Sequence, residues 1–518
     1  MEEGQHQLHK WEFTLAASPA QLWEYISDTN RLFRIHGATP IKEISLSRNT
    51  PKGFLELSHN SLKSYVNWIE EPFTWEAPYR FGVKRRYKSG ILKDLKISTE
   101  SIPTEHGTRL VVKIWIFVSK AFFSLPVKLY VDYLIKRRLN AYLHHIEKAI
   151  TGNQRPYELS SSKKLVRGAE KKLKEIEKEL KEVTNRKRIV DRLISLIKYA
   201  EDEDLECIHP YAIAEYWGEK KYSVLNVFLH ATKLNLLDFS WNICCPTCKS
   251  PKNNFRKMQE ARVHLYCEEC ESDYTMDFNR NTHLVFKAHP LIRKISDRVY
   301  CMGGPGNKPH RIIQQHLNIG DERYPQLSLD VGTYLFRTYN HEGHLVFHVR
   351  EDGTDNINLY LTDDELDGSE LVISRRPNLA IFNHSSKSSV CFIDKLNWKE
   401  EAIYATEVSS SVDFTKLFSQ EILKETSKVK ASDVTFLFTD LMNSTELYIK
   451  EGDESAIGRV MGHFKLIQQI VAEERGGIVK TLVIQLWLFL ESRSLHLKPC
   501  SESNKYLVPP PEWVMHLN

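Results

Sequence analysis

Four cysteines have the spacing best suited to chemistry in this chain: Cys245-x-x-Cys248 and Cys267-x-x-Cys270, with eighteen residues between the pairs. Each pair fits on a tight knuckle, and two facing knuckles let four thiolates converge tetrahedrally on Zn2+. Four thiolates close the coordination shell, so no position is left for an activated water and the predicted role of the metal is structural. Cys244 is adjacent but out of register. A redox pair is the other use of such spacing, but nine cysteines in 518 residues, four of them paired, favour metal over disulfides. Glu268, Glu269, Glu271 and Asp273 crowd the second knuckle and make it unattractive to phosphate.

A second constellation lies nearer the C-terminus. Val434 to Phe438 has strand character and leads through Thr439 to a carboxylate, Asp440; a short polar turn follows, and Ser444 or Thr445 opens a helix. A carboxylate at the carboxyl end of a strand can hold Mg2+, and the free N–H groups of a helix start can take anionic oxygens. A buried strand whose Asp merely caps a turn leaves the same local pattern. Ile457, Val460, Met461, Phe464, Ile467 and Val471 recur at three- and four-residue steps and predict a long amphipathic helix. Gly476-Gly477 ends it, and Ile478 to Thr481 reads as a second strand.

Phe438-Thr439-Asp440-x-x-x-Ser444-Thr445, a helix, Gly-Gly and Val479-Lys480-Thr481 together resemble the opening of a class III nucleotide cyclase domain, the adenylate/guanylate cyclase family. The resemblance implies a bacterial signalling protein and a two-metal reaction. The 3'-hydroxyl of a nucleoside triphosphate attacks its own α-phosphate and expels pyrophosphate, one ion favouring the alkoxide and the other taking developing phosphate charge. It further implies that Asp440 and the Leu441 carbonyl hold Mg2+ or Mn2+, and that Ser444 and Thr445 offer N–H groups to the phosphates. Lys480 would read the base, as in the adenylate rather than the guanylate type; a solvated strand-end lysine is the plainer reading. The family works as a dimer with sites at the interface, so a homodimer is implied.

Then the pattern breaks. The family continues with Gly-Asp-(Ala or Ser)-Val-Met-Ala-Val-Phe, whose Asp is the second metal ligand, whereas Val483 to Leu490 read Val-Ile-Gln-Leu-Trp-Leu-Phe-Leu. A coding stretch for Gly-Asp-Ser-Val-Met-Ala-Val-Phe, translated one base out, returns that octapeptide. Trp487 is diagnostic, because ATG before a G-initial codon becomes TGG. The sequence therefore predicts a one-base frameshift after Leu482, with Val483 to Asn518 an out-of-frame tail without a selected fold. A genuine apolar strand with a Pro-rich tail at Pro509 to Pro511 is the alternative. Without the second Asp and the later Asn and Arg of the family, the catalytic set is incomplete and no cyclase activity is expected.

The elements that must position these groups predict an α+β multidomain chain. Residues 1–152 alternate like strands around a short capped helix and close with a helix over Pro126 to Ile150, a helix-grip layout that resembles the polyketide cyclase/START-like (SRPBCC) superfamily. The resemblance implies a pocket for an apolar or lipid-like ligand; Trp68, Phe73, Trp75 and Phe81 can equally be plain core. Residues 160–204 are a Lys/Glu-rich helical linker whose apolar seam Lys187 interrupts. Residues 205–242 have winged-helix spacing around Gly218, without the polar face that reads bases. A zinc ribbon (243–280) and a β-sandwich (281–400) follow. Cys301 to Asn307 is Gly-rich but lacks a Gly-Lys-Ser/Thr ending, so a structural turn is expected there. The winged-helix-like part, ribbon and sandwich together resemble an uncharacterised domain found upstream of bacterial class III cyclase domains. Residues 430–482 are the truncated, ferredoxin-like cyclase start and 483–518 the tail.

Composition bounds the rest. With 42% hydrophobic and 27% charged residues the chain reads as globular, and a net charge of +4 gives no support to a nucleic-acid partner. Met1-Glu2-Glu3-Gly4 lacks a secretion signal, and no window approaches the ~20 apolar residues a membrane helix needs, so a cytoplasmic protein is expected. A non-enzymatic zinc-containing binding protein with a lipid pocket is the alternative to the cyclase reading.

Overall fold

Ser18 begins the first helix as its sequence requires. Its hydroxyl accepts the Gln21 N–H while Gln21 Oε1 accepts the Ser18 N–H at 3.0 Å, and Pro19 opens the helix Pro19–Ile26. The computed structural model describes residues 5–44, 51–61, 64–152, 165–246, 251–255, 264–267, 272–278, 280–296, 298–339, 343–396, 402–409, 411–418, 434–441, 444–473, 477–481, 485–491 and 513–517. By Cα packing the chain divides into two units, residues 1–159 with 297–400, and residues 160–296 with 401–518.

In the first unit one antiparallel run carries the strands Gln5–Leu15, Gly107–Val118, Leu92–Thr104, Arg80–Tyr87 and Thr74–Glu76, in that lateral order. Along Gly107–Val118 the even-numbered residues from Thr108 to Val118 face inward and are buried. Over that face lies the helix Lys136–Thr151, which buries Leu139, Tyr142, Leu143 and Ile146. The predicted closing helix is present and runs without a break from Ser124 to Thr151, with Tyr130–Ile135 π-helical between the α-helical Ser124–Leu129 and Lys136–Thr151. A curved sheet gripping a terminal helix is thus present in residues 5–152.

The sheet does not end there. Thr74–Glu76 pairs with Arg311–Leu317, and the order continues through Ser389–Lys395, Gly332–Thr338, Gly343–Leu361 and Leu366–Asn383 to Glu322–Arg323. The sandwich predicted for 281–400 therefore belongs with the first domain from about residue 298 onward, which moves the expected boundary. Its pairing also differs from expectation. Gly343–Leu361 and Leu366–Asn383 run parallel, Gly343 opposite Leu366 and Leu361 opposite Asn383, and both shift register midway. Each is a bent coil laid on the other, with Phe347, Val349, Leu361, Ile373 and Ile381 buried between. Asp352-Gly353 lies inside Gly343–Leu361 and Arg376-Pro377 inside Leu366–Asn383, although such residue types favour turns.

The second unit begins with two helices, Ala169–Thr184 and Lys187–Tyr199, instead of one continuous linker. Asn185 takes a left-handed conformation (φ 52°) and breaks the run. Leu173, Ile176, Leu180, Val190, Leu193 and Ile197 are buried, so the apolar seam is core. Pro210–Trp217 and Lys221–Lys233 follow around Gly218 (φ 63°), and Leu237–Cys244 pairs with Pro251–Phe255 and Thr282–Ala288. Lys221–Lys233 buries Val224, Val227, Phe228, Leu229 and Ala231 around much of its circumference, which leaves it no free face for a nucleic-acid groove. The remaining sheet has the order Gly477–Thr481, Gln485–Glu491, Val434–Leu441, Trp513–Leu517, all antiparallel. Within the stretch expected to be an out-of-frame tail, Gln485–Glu491 is an inner strand, as a run of Leu486, Trp487, Leu488, Phe489 and Leu490 favours.

One buried charge cluster holds the continued sheet. Asp394 is fully buried and accepts from Arg311 Nε at 2.8 Å and from Arg337 Nη2 at 2.9 Å. Burial raises its pKa, and the two guanidinium groups outweigh that and hold it below the ordinary 3.8. Asp394→Asn leaves two buried cations without their anion, and we expect a loss of about 3–5 kcal/mol in urea denaturation. The native carboxylate is the more ionised in the folded state. Its contribution is therefore complete above the ordinary carboxylate value and disappears as pH falls through the lowered one, an acid sensitivity the Asn variant should lack.

Candidate functional site

The inward-facing residues of the helix-grip strands do not fill the space beneath the closing helix. A cavity of about 420 Å3 remains, walled by Trp11, Phe81, Val112 and Ile114 from the sheet, by Phe73 just before the strand Thr74–Glu76, by Phe33 on the helix Thr29–Ile35, and by Val127, Val131, Ile135 and Leu139 from the closing helical segment. Of the aromatic residues singled out in sequence, Phe73 and Phe81 reach this wall. Trp68 packs instead with Ile41 and Leu57, and Trp75 lies in the core with its Nε1 donating to the Arg311 carbonyl at 3.0 Å.

Polar groups interrupt the apolar wall at a few points: Thr29, His36, Arg85 and Thr99. Arg85 follows Phe81 and Val83 on the inward face of its strand, so a charge stands where the alternation calls for an apolar side chain. Its Nε donates to Glu70 Oε2 at 2.7 Å, and its guanidinium lies 4.4 Å from the Phe33 ring centre. Burial works against its charge, and the Glu70 carboxylate overcomes that. Arg85 Nη2 and Glu70 Oε1 are buried without a hydrogen-bond partner, and of the two residues Arg85 belongs to the wall. Burial draws the His36 pKa down; a bond to the Leu32 carbonyl opposes this and Arg138 adds to it, so the ring is neutral near pH 7.

The Gly-rich Cys301–Asn307 stretch lies against this region as a packing loop, not a phosphate cradle. Asn30 Oδ1 accepts the N–H groups of Tyr300 and Cys301, and the Gly306 N–H donates to the Ser27 carbonyl. A side chain at Gly304 would collide with Thr29, which is why glycine stands there. Burial pushes the Cys301 thiol up to about 12, so it stays protonated.

The cysteines fall in the second unit. Cys245 directly follows the strand Leu237–Cys244, whose hairpin partner begins at Pro251; Cys267 ends His264–Cys267, which pairs with Ser272–Thr275. Both are buried. Cys245 and Cys267 thus each stand at the end of the first strand of a hairpin. Cys248 and Cys270 lie outside the described residues, as do Glu268, Glu269 and Glu271.

Asp440 and Leu441 end the strand Val434–Leu441, Ser444 and Thr445 start the helix Ser444–Glu451, and Lys480 lies in Gly477–Thr481. Asp440 stands opposite Gln485 on the neighbouring strand, and Lys480 opposite Trp487.

Residues 171–299 match a family of unknown function (DUF5939). No curated protein matches the chain. Among solved structures, the chain is similar to Ara h 8.0201, with 13% identity over 27% of this chain and 98% of that one and a TM-score of 0.21. It is similar to the Zhui aromatase/cyclase from Streptomyces sp. R1128, with 14% identity over 29% of this chain and 96% of that one and a TM-score of 0.20. It is also similar to a conserved protein from Geobacillus kaustophilus, with 13% identity over 28% of this chain and 97% of that one and a TM-score of 0.22. Among the described residues, no helix is long and apolar enough to cross a membrane.

The cavity lends itself to a direct check. Val112 faces it from the middle of its strand, and Val112→Trp fills part of the space while keeping the wall apolar. We expect the variant to keep its far-ultraviolet circular dichroism and to bind an environment-sensitive apolar dye about tenfold more weakly, or about 1.4 kcal/mol.

Proposed function

We propose that this chain is a signalling-type protein in which the helix-grip domain takes an apolar ligand and the C-terminal segment is an incomplete nucleotide cyclase domain of class III type, inactive by itself. The cavity of about 420 Å3 carries the ligand half of this reading. An apolar space with the buried Arg85 in its wall suits a hydrophobic or lipid-like molecule bearing a single hydrogen-bonding group, which would meet Arg85 Nη2.

The cyclase half draws support from the C-terminal sheet. Two helices separate its first strand from its second, and the lateral order runs second, third, first, last, all antiparallel, which is the ferredoxin-like arrangement. Asp440 stands opposite Gln485, and Thr481 opposite Leu486. A Gly-Asp restored in the sequence between Gly477–Thr481 and Gln485–Glu491 would supply a second carboxylate near that end of the sheet, where Mg2+ or Mn2+ and a nucleoside triphosphate would bind. As written, Asp440 is one ligand of the two such a reaction needs, and the charge that builds on the α-phosphate has no second ion to take it. In the same reading Cys245, Cys248, Cys267 and Cys270 hold a structural Zn2+.

Two measurements test this. Inserting the missing base after the Leu482 codon and assaying both products with ATP or GTP and Mg2+ or Mn2+ should yield cyclic AMP from the repaired chain alone. Silence from both would end the cyclase reading and leave the ligand-binding one. Metal analysis of the purified chain should find close to one zinc per molecule, and Cys245→Ser should lose it together with resistance to proteolysis between residues 243 and 280. A metal-free wild-type chain of unchanged stability would refute the zinc site.

A further inference from the structure

The segment before the closing helix is apolar on two opposite sides. Val127, Val131 and Ile135 face the cavity. Half a turn away, Phe122, Leu125, Leu129 and Tyr133 are exposed to 60%, 65%, 61% and 67% of their surface. Single exposed apolar residues need no cause, but four at three- and four-residue steps form a stripe that a helix apolar all round normally buries. Exposed Lys120, Lys128, Lys136 and Arg137 flank the stripe. The sole acidic residue between positions 120 and 138 is Asp132, and its carboxylate is held by His9 Nδ1 at 2.7 Å.

We propose that the Ala121–Ile135 segment docks on an anionic lipid bilayer, with the stripe entering the headgroup boundary and the four cations lying against the lipid phosphates. Apolar and aromatic side chains on one face with Lys and Arg at its margins are the pattern that lies flat on such a surface. A second copy of the chain fits less well. A two-fold contact through this stripe sets Lys128, Lys136 and Arg137 against their own counterparts, a like-charge juxtaposition that opposes pairing. The inner side of the same segment is cavity wall, so a docked helix separates the bilayer from the apolar space by one helix diameter. The π-helical turn at Tyr130–Ile135 is the place where that wall can repack, since such turns have weaker hydrogen-bond geometry. Docking stands on the exposed stripe and its charges. Only the further idea that the ligand comes from the bilayer rests on the ligand-binding reading above.

The test is flotation of the full chain with vesicles of phosphatidylcholine alone or of phosphatidylcholine with phosphatidylglycerol, at low and high salt, with dye uptake from solution measured on the same preparations. We expect flotation with the anionic vesicles only, weakened by salt. The double variant Leu129→Glu/Tyr133→Glu, both positions being exposed and therefore tolerant in the fold, should lower the bound fraction about tenfold, and Lys128→Glu/Lys136→Glu should lower it as well. No flotation of the native chain, or equal flotation of native and double-variant chains, overturns docking. A native dimer that the Leu129→Glu/Tyr133→Glu pair dissociates, without vesicle binding, overturns it in favour of a contact between copies. Dye uptake without flotation defeats docking and leaves the ligand reading standing. Flotation without dye uptake supports docking and defeats the ligand reading.

Discussion

The first unit depends on a seam only two residues wide. Thr74–Glu76 meets Arg311–Leu317 through the pairs Trp75 with Gln314 and Glu76 with Ile313, and across that contact a helix-grip sheet becomes a sheet of bent coils. Two backbone pairs are too few to hold such a join, and buried side chains complete it. Gln314 Nε2 donates to the Phe73 carbonyl at 2.7 Å, Gln315 Nε2 to Glu76 Oε1 at 2.9 Å, and the Gln326 N–H to Glu76 Oε2 at 2.9 Å. Glu76 is fully buried, and Arg80 supplies its counter-charge. A buried carboxylate with this many donors is costly to strand, so the seam is specified by polar geometry more than by apolar area. The Asp394 cluster sits one strand further on and serves the same join, since Arg311 belongs to the strand that makes it.

That join bears on the cavity. Phe73 and Phe81, which wall it, flank the short strand at the seam, and the Cys301 loop that leads into Arg311–Leu317 packs on Thr29 and Asn30 at the start of a helix whose residues also face the space. The bent-coil strands and the helix-grip strands therefore share a frame. The inward side chains of the sheet and of the closing helix leave an apolar space between them, and the hydrogen-bonded frame around it opposes inward collapse.

Much of the frame was legible in sequence, and the exceptions have identifiable causes. The strand Arg80–Tyr87 and the capped helix at Pro19 followed from alternation and from Ser18 with Gln21. Alternation reports a strand without naming its partner, so nothing local told that Arg311–Leu317 joins the N-terminal sheet, nor that Gly343–Leu361 lies parallel to the strand that follows it. The break at Asn185 was hidden because Lys187 was read as a fault in one long seam, when the left-handed residue two positions earlier ends the helix. Arg85 and Glu70 were missed although a signal existed: an arginine in phase with Phe81 and Val83 on an inward face must be paired or must touch a ligand. The cysteine spacing points to two hairpins, and Cys245 and Cys267 each stand at the end of a hairpin's first strand.

The C-terminal sheet separates what folding asks of a segment from what chemistry asks. An inner strand needs apolar, β-favouring side chains and a register, and Val-Ile-Gln-Leu-Trp-Leu-Phe-Leu meets that need as well as Gly-Asp-Ser-Val-Met-Ala-Val-Phe would. The code itself contributes, since codons with a central T encode apolar residues and a shift of one base preserves much of a T-rich stretch. Pairing with Val434–Leu441 is therefore no witness to the reading frame. A metal site is less forgiving. It requires a carboxylate at one position in the turn, and no hydrophobic substitute supplies the charge. A segment can thus keep its place in a sheet while lacking a residue that a metal site would need, and under the cyclase reading proposed above Asp440, at the end of its strand, would be half of such a pair.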